Sequence, residues 1–492
     1  MLKSIIAGRD ASVAGRAASS GRAPSVRWVL ASLSLSMLLS SLGTSIAHVG
    51  LPTLAQAFNA SFQQVQWVVL AYLLAITTLI VSAGRLGDLI GRKRLLLAGI
   101  FLFTLASILC GIAPALWLLI AARAAQGLGA ALMMALAMAF VGETVPKAKL
   151  GGAMGLLATM SAMGTALGPS LGGVLIAGSG WRALFWVNVP LGVLAFLLAR
   201  RHLPVDGRRP QTGRTGFDPA GTGLLALTLA AYALAMTVGR GHFGPLNLAL
   251  LAAAAVGAGL FVRVEATAAS PLVRLALFRD PGLSASLAMS ALVSTVMMAT
   301  LVVGPFYLSR SLGLDAARVG LAMSAGPLAA ALAGVPAGRM ADRFGAPRMA
   351  LVGLIAIAAG CLALSMGPLA FGIPGYIAPM VVITVGYALF MTANNTAVMA
   401  DVRADQRGVI SGLLNLSRNL GLITGASAMG AVFALASKAI DIATARPEAV
   451  AGGMRVTFAV AAALVAVAIA IGAAGRVLAA RQGRRLAPAG QQ

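Results

Sequence analysis

The chain has 492 residues, of which 59% are apolar and only 10% charged, whereas an ordinary soluble domain is roughly one quarter charged. That composition excludes a soluble globular protein. With aromatics at 5%, the apolarity lies in runs of Ala, Leu, Val and Gly long enough for lipid, which requires about 20 residues per helix. The formal charge of +24 would suit nucleic acid only if the basic residues shared one face or tail. They sit instead in short segments between apolar runs, so nucleic acid is not an expected partner and the charge reports membrane orientation.

In chain order, residues 1–27 are rich in Ala, Ser, Gly and Arg and read as a disordered cytoplasmic tail, too polar for a signal-peptide core. Apolar runs bounded by Gly, Pro and charge then predict helices near 28–50, 63–84, 94–113, 116–140, 152–177 and 184–200, a six-helix bundle over 28–200. A polar cytoplasmic loop follows at 201–218. Two further helices, 219–238 and 246–263, form an inserted segment over 219–281. The second bundle, 282–475, is predicted from runs at 282–308, 317–337, 347–367, 374–399, 408–434 and 455–475, with a cytoplasmic tail at 476–492. The expected fold is therefore all-α and integral to the membrane, with 14 spans.

Lys and Arg favour cytoplasmic loops. With the N-terminus inside, the outer loops hold only Arg182, Arg240, Arg310, Arg318, Lys438, Arg446 and Arg455 of the 37 basic residues, and Arg123 and Arg418 fall within helices. Both termini are thus predicted to be cytoplasmic. Trp67, Trp117, Trp181 and Trp186 fall near outer helix ends and Trp28 near an inner one, where interfacial anchors belong. Cys110 and Cys361 lie inside apolar runs without metal-type spacing, and no metal or cofactor is expected.

An internal repeat supports two related halves. Gly84-Arg85-Leu86-Gly87-Asp88-Leu89-Ile90-Gly91-Arg92-Lys93-Arg94 follows the second helix, and Gly338-Arg339-Met340-Ala341-Asp342-Arg343-Phe344-Gly345 follows the tenth. Each reads Gly-x-x-x-Asp-x-x-Gly on a predicted cytoplasmic turn. Glycine permits a tight turn against neighbouring helices, and the Asp can meet a helix N-terminus or an Arg when the inner side closes. A turn that merely sets topology would explain the basic residues but not the repeated Gly and Asp.

Four motifs in order resemble the major facilitator superfamily, and more closely its fourteen-helix drug/proton antiporter branch. Residues 84–94 look like the loop motif between its second and third helices. Leu119-Ile120-Ala121-Ala122-Arg123-Ala124-Ala125-Gln126-Gly127-Leu128-Gly129-Ala130 is similar to its fourth-helix motif with a buried Arg. Gly164-Thr165-Ala166-Leu167-Gly168-Pro169-Ser170-Leu171-Gly172-Gly173 resembles the fifth-helix pattern of exporters. Trp181-Arg182 with Phe185-Trp186-Val187-Asn188-Val189-Pro190 is similar to a signature of the fourteen-helix branch. The resemblance implies a multi-pass protein of the bacterial cytoplasmic (inner) membrane that moves small, drug-like molecules, with protons as the coupling ion.

The fifth-helix run has its own physics. Gly164, Gly168 and Gly172 lie on one helix face where a neighbouring backbone can approach, and Pro169 removes an internal hydrogen bond. Static packing and a rocking interface are both compatible with it.

Ionisable residues inside spans are costly and so are functional candidates. Arg123 is expected to face a central cavity, with a structural carbonyl clamp as the bland reading. All 13 acidic residues fall in loops or at helix ends. The antiporter branch carries an Asp in its first helix. Here the matching run is Leu42-Gly43-Thr44-Ser45-Ile46-Ala47-His48-Val49-Gly50-Leu51-Pro52, with Gly43 in the place of the Asp and His48 in that of an Asn. Coupling through the usual residue is therefore in question. His48 could carry protons, or simply sit near the outer interface.

Arg418, flanked by Asn415 and Asn419 on one helix face, and Asn394 and Asn395 on the preceding helix complete the buried polar set. Two arginines without a buried acid predict a cavity of positive potential suited to anionic or zwitterionic compounds.

The candidate substrate or proton-pathway residues are thus Arg123, Gln126, His48, Asn415, Arg418 and Asn419. The candidate gating residues are Gly84, Asp88, Gly91, Arg92, Gly338, Asp342 and Gly345. The candidate bending helix carries Gly164, Gly168, Pro169, Gly172 and Gly173. The sequence contains no H-E-x-x-H or G-x-x-x-x-G-K-[ST] motif, and its G-x-S-x-G match, Gly168 to Gly172, falls inside the apolar fifth-helix run rather than on a strand-to-helix turn, which argues against an enzyme or a direct ATP drive. The leading reading is a secondary exporter working by alternating access. A transport-fold sensor or assembly protein without flux, and an exporter of organic anions with non-standard coupling, are the alternatives. Oligomeric state is left open.

Overall fold

In lipid every backbone N–H and C=O must find an internal partner, so apolar runs of this length become helices. The computed structural model describes residues 26–145, 150–204, 218–238, 244–268, 275–367, 371–400, 407–438, 442 and 445–486. Among these, 14 helices are long and apolar enough to cross a membrane. The first half holds α1 (Val26–Val49), α2 (Phe62–Ile90), α3 (Arg92–Ile112), α4 (Leu116–Thr144), α5 (Leu150–Ser179) and α6 (Asn188–His202). The inserted pair is α7 (Pro219–Thr237) and α8 (Pro245–Thr267). The second half holds α9 (Pro281–Phe306), α10 (Ala316–Phe344), α11 (Ala346–Met366), α12 (Gly372–Ala400), α13 (Arg407–Thr424) and α14 (Pro447–Leu486). A π turn at Gly425–Met429 carries α13 on into the segment Gly430–Ala436.

Several boundaries differ from expectation. The segments 84–90 and 338–344 are not turns but the ends of α2 and α10, and the reversal is confined to one residue in each half, Gly91 at φ 105° and Gly345 at φ 89°. Only glycine enters that left-handed region without strain. The expected tail at 476–492 begins as helix, since α14 runs to Leu486 through Ala, Arg, Leu and Gln, all strong helix formers. The α14 start also moves from 455 to Pro447, where proline at the first turn and Glu448 beside it favour a helix N-terminus. A short helix, Leu51–Ala57, was not expected. Of the expected loop and tails, residues 1–25, 205–217 and 487–492 lie outside the described residues.

The halves repeat their packing. In the first, α3 and α4 approach through Gly99 and Gly129, each lying against the other's carbonyl oxygen. In the second, α11 and α12 do the same through Gly353 and Gly386. The inserted α7 lies along α2, where Trp67 Nε1 donates to Thr237 Oγ1 at 3.0 Å and Ser82 Oγ meets Thr222 Oγ1 at 2.9 Å. Only 11% of the apolar window of α8 is buried, so α8 faces lipid.

Between the halves, contacts gather at the outer ends. Gln66 Nε2 donates to the Ala426 carbonyl at 2.9 Å. Phe62 sets its edge against Phe306 and Phe433, with centroids 4.8 and 5.4 Å away. Toward the inner ends, Gly84, Gly142, Gly334 and Gly338 border open space. Trp181, expected as an interfacial anchor, is instead buried among Phe58 and Phe185.

Candidate functional site: an enclosed arginine and two glycine seams

Arg123 on α4 exposes no surface. Its Nε donates to the Val68 carbonyl of α2 at 2.8 Å, and its Nη1 donates to Gln126 Oε1 at 2.5 Å. Gln126 Nε2 passes the chain on to Ser107 Oγ at 2.7 Å on α3. The guanidinium carbon stands 4.1 Å from the centroid of the Tyr72 ring. The expectation that Arg123 opens onto a cavity is corrected: a carbonyl, an amide and an aromatic face disperse its charge inside the first half. Its Nη2 has no hydrogen-bond partner.

The place of the missing acid is filled. A side chain added at Gly43 would meet Tyr72 Oη at 3.0 Å and Phe103 at 3.2 Å. Tyr72 donates its hydroxyl to the Ser40 carbonyl at 2.7 Å. The phenol thus occupies the gap between Gly43 and the arginine.

His48 is also enclosed rather than interfacial: it exposes no surface, its Nδ1 lies 3.2 Å from the Ser45 carbonyl, and its Nε2 has no hydrogen-bond partner.

In the second half, α13 buries Leu413, Leu414, Leu416 and Ser417, and Ser417 Oγ donates to the Leu287 carbonyl at 2.5 Å. The opposite side carries Arg418, which is exposed, beside the half-buried Asn415 and Asn419. An Arg turned to hydrocarbon is costly, so this face is the one suited to a watery route. Asn394 belongs elsewhere. It is buried within the second half, donating to the Ser286 carbonyl at 3.3 Å.

The glycine face of α5 lies on α1. Side chains at Gly164, Gly168 and Gly172 would strike the backbone or side chains of Leu38, Ser45, Ile46 and Val49, and Ser45 Oγ donates to the Gly164 carbonyl at 3.0 Å. Pro169 and Gly173 face α10, where Gly173 meets Gly320 backbone to backbone. The sequence reading missed the counterpart seam. Gly421 and Gly425 of the α13 segment lie on α9 at Ala291, Thr295 and Met298, and Thr295 Oγ1 donates to the Gly421 carbonyl at 3.1 Å. Their spacing matches Gly164 and Gly168, a signal that extending the repeat search would have found. Tyr72, Gln66 and Gly320 carried no comparable signal.

Of the gating candidates, Gly91 and Gly345 make the reversals, Gly84 and Gly338 touch nothing within 4 Å, and Asp342 is exposed. The expectation that all four glycines pack a tight turn therefore holds for Gly91 and Gly345 by conformation, while Gly84, Gly338 and Gly345 make no close approach. Gly87, not singled out before, is the one that abuts Leu136 of α4. Arg92 is half-buried and has an interaction partner. The Asp88 side chain lies outside the described residues.

The family model described as Major Facilitator Superfamily matches residues 33–426 and 287–491. The chain is 32% identical over 411 residues to multidrug resistance protein Stp of Mycobacterium tuberculosis (strain ATCC 25618 / H37Rv), covering 81% of this chain and 74% of that one. It is 30% identical over 420 residues to multidrug efflux pump LfrA of Mycolicibacterium smegmatis (strain ATCC 700084 / mc(2)155), covering 84% and 82%. Its fold is similar to that of a bacterial homologue of the human lysosomal transporter Spinster in an inward-facing and occupied conformation, with TM-score 0.70, 15% identity, and coverage of 93% and 98%. The helical halves, their repeated seams and these matches agree: the chain belongs to the Major Facilitator Superfamily, as a fourteen-helix, multi-pass secondary transporter of the multidrug-efflux type in the bacterial inner membrane, and not an enzyme.

Proposed function

We propose that the protein exports small organic compounds by alternating access, with a preference for anionic or zwitterionic molecules. The halves 28–200 and 282–475 act as the moving bodies, and the outer contacts of Gln66, Phe62 and Gly320 are the seal that must part. The observation carrying the charge preference is the exposed Arg418 between two amides on α13, with no acid at mid-depth to cancel it. Arg123, held by Gln126, adds positive potential from behind Tyr72 without touching the compound. The efflux-type relatives support outward transport of drug-like molecules.

For coupling, protons are the assigned ion and His48 the assigned carrier. It stands on α1 with one ring nitrogen uncommitted. Gly91 and Gly345 serve as the latch hinges, with Asp88, Arg92 and Asp342 as latch charges, while the small-residue seams of α5 and α13 provide the sliding faces.

The test is substrate-dependent internal pH change in proteoliposomes, with a panel of anionic, zwitterionic and cationic compounds. Anion-selective flux that falls in Arg418→Ala is expected. Flux restricted to quaternary cations and unaffected by that variant would overturn the charge preference. Equal proton coupling in His48→Asn and His48→Ala would remove His48 from the path.

A further inference from the structure

A cavity of about 630 Å³ lies inside the second half, at its cytoplasmic end. It is walled by α9, α11, α12 and α14, with Ile410 of α13, so it is separate from the route between the halves. The repeat shows what opens it. Gly353 takes the role of Gly99 and Gly386 that of Gly129 in the paired helix contacts. Counting back three residues from Gly99 gives the fully buried Leu96, and counting back three from Gly353 gives Ala350. Counting on eleven from Gly129 gives the buried Phe140, and from Gly386 the same step gives Ala397. Ala350 and Ala397 both line the cavity. Two large side chains that fill the first half are alanines here.

The opening is chemically distinct from the interior. Arg476 lines it and is exposed, and Arg279 and Arg348 are exposed beside the lining residues Asp280 and Pro347. The Asp280 carboxylate accepts the Gly282 N–H at 2.9 Å as the cap of α9, and the three arginines outnumber its single negative charge. The interior is aliphatic, with Met289, Leu354 and Ile469, and a single amide, Asn394. Basic pockets between helices on the cytoplasmic side suit anionic head groups, and acyl chains suit the wall behind them. We propose that this cavity binds one anionic phospholipid of the cytoplasmic leaflet, its phosphate at Arg476 and an acyl chain in the space walled by α9, α11, α12 and α14.

The test is native mass spectrometry of the full-length protein, delipidated and then titrated with phosphatidylglycerol or phosphatidylethanolamine. One phosphatidylglycerol should be retained per chain, and phosphatidylethanolamine less. Arg476→Glu should weaken retention at least tenfold, because the charge near the phosphate changes by two units. Ala397→Phe and the milder Ala350→Leu should abolish it by restoring the first half's filling. Arg318→Glu, at the opposite end of the molecule, should leave it unchanged. Melting temperature checks that each variant is folded. Equal retention of both lipids, or unchanged retention in folded Ala350→Leu, would overturn the proposal, as would displacement of phosphatidylglycerol by a transported drug with Arg476 dispensable.

Discussion

Tyr72 holds Arg123 under its ring face, 4.1 Å from the guanidinium carbon to the centroid, while its hydroxyl donates to Ser40 on α1 at 2.7 Å. One aromatic side chain therefore joins α1, α2 and α4 and occupies the ground in front of Gly43. An acid placed at position 43 would not find an open seat beside the arginine. It would press on Tyr72 Oη and Phe103, and overpacking of a filled core costs about 1–3 kcal/mol. Gly43→Asp alone should lower the melting temperature in detergent. Gly43→Asp combined with Tyr72→Phe, which removes the obstructing oxygen, should recover most of the loss and add a carboxylate step to the pH dependence of transport. Equal melting of the single and double variants would show that Tyr72 does not fill the acid's place.

The spans were legible because lipid leaves the backbone a single solution, and the loop repeat was legible because Gly91 and Gly345 must both take positive φ. The environment of Arg123 was not. Its acceptor Val68 lies 55 residues away in sequence, and no local pattern says that Tyr72 rather than water covers the guanidinium. Burial cost alone predicts that such an arginine needs partners, and it does not say whether they come from a cavity or from neighbouring helices. Asn394 was misassigned for the same reason. Its helix was correctly read, but the face it turns inward depends on how α12 meets α9.

Gln126 is the only side chain among the described residues that accepts a hydrogen bond from Arg123, and it depends in turn on Ser107. Replacing it with Leu strips one nitrogen of a buried cation of its partner. A hydrogen bond to a charged group typically contributes about 1.5–3 kcal/mol. Gln126→Leu should sharply reduce folded yield on size-exclusion chromatography. Gln126→Glu, which keeps an acceptor oxygen in reach, should be tolerated far better. Similar yields for the two variants would mean that the Val68 carbonyl and Tyr72 suffice.

The outer seal makes a directional prediction. Gly173 and Gly320 touch backbone to backbone, so any side chain at 320 must part α5 from α10. Gly320→Leu should shift the population toward the outward-open form, raising the labelling rate of a cysteine placed in the cavity by an external, membrane-impermeant maleimide. Gly338→Ala is the control at the other end of the same helix. Its side chain would meet nothing within 4 Å, and alanine in place of glycine in a helix gains about 0.5–1 kcal/mol. It should melt slightly higher and label no faster from outside.

The two seams should answer alike if the halves share one sliding mechanism. Ser45 bonds the Gly164 carbonyl at 3.0 Å and Thr295 bonds the Gly421 carbonyl at 3.1 Å, and each crosses between the first and fifth helices of its half. Interhelical hydrogen bonds in membranes average about 0.6 kcal/mol, so Ser45→Ala and Thr295→Val should each produce a small loss of stability. The sites lie in different halves, so the losses should add in the double variant. Substitution of the glycines is a different matter, since Gly168 and Gly425 have a neighbouring helix directly against the missing side chain. Gly168→Val and Gly425→Val should both abolish flux while the protein still reaches the membrane. A protein that tolerates valine at 425 but not at 168 would rock on the first half's seam alone.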